Sequence, residues 1–119
     1  MIPVPIIETL GQKQRRFAMM TGMLITWAYA NNYELTEGEG KRTAEQAAWD
    51  AARGSGIQHS LHIIQLAHDW NVFRDGDWLS DAKDYPDLVA YWKSLSKDAC
   101  QGGDWGDSDH FSIQFQGRK

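Results

Sequence analysis

The sequence predicts an α+β fold, a small and mostly antiparallel sheet with helices packed against it. Three observations carry that expectation. Thr9-Leu10-Gly11-Gln12 is a capping box, and apolar residues follow it at helical spacing. Arg74-Asp75-Gly76-Asp77 is a hairpin turn between apolar, β-favouring stretches. Residues 111–115 (Phe-Ser-Ile-Gln-Phe) alternate apolar and polar, as a half-buried strand does.

Each element can be justified in chain order. Residues 1–8 read as an extended lead-in bounded by proline. The first helix runs from the Thr9 cap to about Ala30, with Phe17, Met20, Leu24 and Ala28 on one buried stripe. Asn31-Asn32 stops it, because asparagine tolerates the left-handed conformation. Tyr33-Glu34-Leu35-Thr36 alternates and predicts a short strand, and residues 37–41 a charged, glycine-containing loop. Thr43-Ala44-Glu45-Gln46 is a second capping box, opening a helix to Arg53 that Gly54 closes. Residues 62–73 favour strand, and Trp78-Leu79 begins the return strand of the hairpin. Tyr85-Pro86-Asp87 opens a helix with proline in its first turn and Leu88, Tyr91, Trp92 and Leu95 on one face. Residues 101–106 form a glycine-rich loop before the final strand.

Bulk properties bound the rest. With 119 residues and 42% hydrophobic content, one domain over 1–119 is expected, since a second would lack a core. The net charge of −4 and the absence of a long Lys/Arg run argue against a nucleic-acid binder. The densest cationic cluster, Lys13, Arg15 and Arg16, reads as a solvated helix face. Cys100 stands alone, so no intrachain disulfide forms, which suits a reducing cytoplasm. The amino terminus carries no basic region or cleavage site of a signal peptide, and no apolar run reaches the ~18 residues of a membrane span.

The chemistry concentrates in two short runs. Ser60-Leu61-His62 is followed by Asp69, and Asp107-Ser108-Asp109-His110-Phe111 lies far downstream. Two imidazoles and a carboxylate can hold one metal ion, and a further carboxylate stands three residues before the last histidine. Three protein ligands leave a fourth position for water, whose proton a nearby carboxylate can take. His62 and Asp69 are seven residues apart, which puts side chains on opposite faces of an ideal strand. A bend or bulge between Ile63 and Leu66 is therefore required. His59 and His68 are the rival imidazoles; strand alternation turns His68 away from Asp69. Asp104 and Asp109 are the rival carboxylates, both plausible as solvated loop residues.

The pattern Ser-x-His-x6-Asp with a distal Asp-x-x-His-Phe resembles the M15 family of peptidoglycan peptidases. Ser60, His62, Ala67, Asp69, His110 and Phe111 match its motifs, whereas Gln65 stands where the family usually has glycine. The resemblance implies the hedgehog/DD-peptidase type of α+β fold and one Zn2+ per chain on His62, Asp69 and His110. The donor set alone admits several divalent ions. It also implies Asp107 as the catalytic base and Arg42 as a substrate-binding and oxyanion-stabilising residue, although Lys41 replaces the aromatic common before that arginine. Ser60 is implied as a substrate-side hydrogen-bonding residue, with local backbone capping its plain alternative. Trp92 reads as core and Trp105 as a cleft wall. The implied activity is that of an endolysin cleaving stem peptides at the L-Ala-D-Glu bond, held in the host cytoplasm until lysis and reliant on a holin for access to the wall. Cleavage at D-Ala-D-Ala is the second reading, and a non-catalytic zinc-binding module of the same fold the third. A small metal-dependent nuclease would want a more basic surface.

Overall fold

A computed structural model describes residues 7–38 and 61–119. Helix α1 (Leu10–Ala30) begins where the capping box places it: Thr9 Oγ1 accepts from the Gln12 amide at 3.1 Å, and the Thr9 amide donates to Gln12 Oε1 at 2.8 Å. Its buried residues are Phe17, Met20, Leu24 and Ala28, the expected stripe. Asn31 caps it, and Asn32 (φ 65°) takes the left-handed turn into strand β1 (Glu34–Glu37). The second expected helix, over Thr43 to Arg53, lies outside the described residues, as do Arg42, His59 and Ser60.

Strand β2 (Ala67–Arg74) is the spine of the sheet. On one edge its residues 70–73 pair antiparallel with β1. On the other edge two strands lie end to end. Residues 67–69 pair with β5 (His110–Ile113), and residues 72–74 pair with β3 (Asp77–Leu79) through the expected hairpin, whose turn holds Asp75 and Gly76 at φ 53° and 80°. Strand β4 (Ala99–Gln101) adds to the far side of β5. Helix α2 (Pro86–Ser94) follows a 3-10 turn at Ala82–Asp84, with proline in its first turn.

Several points differ from the sequence reading, among them strand β4 and a 3-10 turn at Gly102–Trp105, which replace the expected loop over 101–106. The strand expected from His62 begins at Ala67, and residues 61–65 are a turn. The closing strand ends at Ile113, and all four of its residues are buried because it is interior to the sheet. Lys13 and Arg16 are not a solvated face: both reach Asp98, Lys13 at 3.1 Å and Arg16 at 2.6 Å, tying α1 to the segment before β4. The core joins the helices to the sheet through Trp92, which meets Phe17 and Phe111 edge-on at 5.8 Å each. The Trp92 indole N–H donates to the carbonyls of Cys100 (2.8 Å) and Ser112 (3.2 Å). Among the described residues no helix is long and apolar enough to cross a membrane.

Candidate metal centre

Two pieces of local structure bring the predicted ligands together. The first is the required bend. Residues 61–65 close into a turn in which the Leu66 amide donates to the Leu61 carbonyl at 3.0 Å, and Gln65 adopts φ 59°. A non-glycine residue in the left-handed region is held there at a cost of about 1–2 kcal/mol. The turn, rather than a bulge in the strand, returns His62 over the start of β2. Gln14 of α1 secures it by donating to the Ile64 carbonyl at 2.8 Å.

The second is strand register. Asp69 and His110 are direct cross-strand partners, so their side chains rise from the same face of the sheet. His62 Nε2 lies 3.4 Å and His110 Nδ1 3.6 Å from Asp69 Oδ1. One ligand atom from each of the three residues falls within 4.8 Å of the others. Both histidines are buried, and the Asp69 side chain is largely so.

This arrangement fits a metal ion. Zinc bonds of 2.0–2.2 Å in a tetrahedron place neighbouring donor atoms ~3.3–3.6 Å apart, close to the two separations observed. Asp69 Oδ1 and His110 Nε2 are buried without a hydrogen-bond partner, and buried polar atoms left this way are costly. A cation held between the three residues would give the Asp69 oxygen a partner. Burial lifts the Asp69 carboxyl, but the imidazoles of His110 and His62 more than reverse this and hold it below the usual carboxylate range.

Around this trio the rivals separate. His68 points to the other face, its ring 4.4 Å from that of Trp70 and Nε2 3.9 Å from Glu37, and burial lowers its pKa. Asp104 pairs with Lys93 at 2.8 Å. Asp107 stands beside the trio without joining it: Oδ2 lies 3.8 Å from His110 Nδ1, and about half the side chain is exposed. Asp109 is lifted to about 6 by burial, by its hydrogen bond with Asp107 and by the charges of Asp69 and Asp107. The ring of Trp105 lies 5.5 Å from that of His110, edge-on beside the site.

Sequence reasoning missed what holds the 102–110 segment in place. Gln101 is fully buried; its carboxamide oxygen accepts from the Gly103 amide at 2.8 Å, and its nitrogen donates to the Ser108 carbonyl. The Tyr85 hydroxyl donates to the same carbonyl at 2.8 Å. Gly102 is packed so tightly that a Cβ would fall 2.0 Å from the Asp107 carbonyl oxygen and 2.8 Å from His110 Cβ. Glutamine before Gly-Gly-Asp is a possible turn cap, which was the one available signal.

A cleft of about 260 Å³ opens where β5 and β3 part along β2. The Trp70 amide, at the fork, donates to the Asp109 carbonyl at 2.8 Å. Trp78, Tyr85, Asp107 and Asp109 are among the residues lining it, so Asp107 faces both the trio and the cleft.

No protein-family model and no curated protein sequence matches the chain. Among solved structures the fold is similar to that of the Serratia marcescens L-Ala D-Glu endopeptidase ChiX. The likeness covers 95% of this chain and 92% of that one, with a TM-score of 0.68 and 15% sequence identity. At that identity the likeness is one of fold, and it supports the α+β architecture with a peptidase as structural neighbour.

Proposed function

We propose that this chain is a zinc-dependent peptidase of the M15 type that cleaves peptidoglycan stem peptides, first of all at the L-Ala-D-Glu bond. The observation that carries the reading is the convergence of His62, Asp69 and His110, spread over 49 positions of the chain, onto one buried point. The likeness to a peptidase of that specificity supports it. Zinc held there would polarise the scissile carbonyl and acidify the attacking water.

The chain's own residues supply the remainder. Asp107 lies just outside the ligand set and is partly exposed, so its carboxylate is free to accept a proton from the water and return it to the leaving amine. Amide and water thus become carboxylate and amine. Trp105 stands edge-on beside the site. Arg42 would donate to the developing oxyanion and Ser60 would hold the peptide; both roles rest on the sequence motif.

Cleavage at D-Ala-D-Ala is the second reading; the likeness to an L-Ala D-Glu endopeptidase is what ranks the endopeptidase first. Digestion of purified cell wall decides between them. A new amine on D-Glu without free D-Ala is expected; release of D-Ala alone would replace this reading with the carboxypeptidase. The biological setting proposed is phage-mediated lysis, with the wall peptide as partner. Lysis of permeabilised host cells by added protein, absent for the His110→Ala variant, is the expected result.

A further inference from the structure

Resting on that reading, we propose that the cleft between the β2–β3 hairpin and the 106–109 loop receives the leaving fragment and selects one that carries a side-chain ammonium, as a stem peptide does when its third residue is a diamino acid.

Position is the first argument. Asp107 lines the cleft and also stands 3.8 Å from His110 Nδ1. A group that hands a proton to the departing amine must sit beside the departing fragment, so the cleft that Asp107 opens onto lies on the leaving side.

Charge is the second. Asp109 joins Asp107 in the cleft wall. No lysine or arginine is among the described residues that line it. Tyr85, buried at the cleft, is acted on by the charges of Asp109, Asp81, Asp84 and Asp107. A cleft walled by one sign of charge concentrates the opposite sign.

Surface chemistry is the third. Trp78 lines the cleft with 62% of its surface exposed, a large aromatic face left in water. An indole beside carboxylates suits an alkylammonium, whose methylenes pack on the ring while the charge meets its π face. The volume of about 260 Å³ accommodates a four-carbon amine with its backbone.

The test uses two synthetic stem peptides that differ only in acetylation of the third residue's side-chain amine. Wild type is expected to show a kcat/KM about tenfold higher for the free amine. That ratio should fall towards one in Trp78→Ala and in Asp109→Asn, with circular dichroism confirming the fold of each. Equal rates on the two peptides in wild type, or a ratio unchanged in both variants, would overturn the proposal. If wild type cleaves neither peptide, it is the peptidase reading that fails, and the cleft is read by binding instead. The Trp78 indole N–H resonance, assigned with Trp78→Phe, should shift on titration with the free-amine peptide and not with the acetylated one. No shift with either peptide would overturn the proposal.

Discussion

Two partly buried carboxylates, Asp98 and Asp69, are both held below the usual carboxylate range, yet they sit in opposite situations. Asp98 is closed. Burial lifts it, but hydrogen bonds from Arg16, Ser96 and Lys13 outweigh that, and both of its oxygens are taken. Its partners are two permanent cations and a hydroxyl, and they need nothing further. Asp69 is open. Its neighbours are two imidazoles, and Oδ1 makes no hydrogen bond although nitrogens stand at 3.4 and 3.6 Å. A structural ion pair completes its own valences; a binding site leaves them for a guest. The first holds α1 to the segment before β4, and the second keeps one oxygen for a guest.

The sharpest way to break this comparison is to remove a ligand. His62→Ala or His110→Ala should reduce metal affinity by at least about 100-fold, from about one zinc per chain in wild type, as read by elemental analysis after dialysis. Asp107→Ala comes next: metal content should stay intact while kcat falls by about 10²–10⁴. A full loss of zinc would instead place Asp107 among the ligands. Asp98→Ala should spare the metal and weaken the fold by about 2–3 kcal/mol, measured by urea denaturation, because it removes the carboxylate that Arg16 and Lys13 share.

The same pair predicts a pH dependence. A folded carboxyl held below its unfolded value of ~3.9 stabilises fully above that value and loses its contribution as pH falls through and below it. Thermal midpoints should therefore drop from about pH 4 downwards, and Asp98→Asn should flatten the drop. The smallest expected effect is at Gln65. Gln65→Gly relieves the left-handed backbone and should raise stability by about 0.5–1 kcal/mol while leaving zinc content unchanged.

Local chemistry was legible in the sequence where a few adjacent residues decide it. The Thr9–Gln12 box, the 17-20-24-28 stripe and the Asp75-Gly76 turn each determine their own neighbourhood. Strand β4 was not legible, because Ala99-Cys100-Gln101 has no alternation of its own. It pairs because β5 offers an edge and Trp92 bonds the Cys100 carbonyl. The Asp98 clamp was invisible for a related reason: Lys13 and Arg16 find their partner more than 80 residues away. At the centre, the need for a bend before Asp69 followed from spacing alone. The pairing of Asp69 with His110 did not, and came only from the family's motif order. Arg42 and Ser60 remain readings of the motif, outside the described residues.

The cross-strand position of Asp69 and His110 has a mechanical consequence. An ion gripping both would cross-stitch β2 to β5 and lock their alignment against slippage, with His62 pinning the preceding turn to the same knot. Occupancy and rigidity would then rise together. The Trp70 amide, which bonds the Asp109 carbonyl beside that stitch, should exchange its hydrogen with solvent more slowly in loaded protein than in chelator-treated protein.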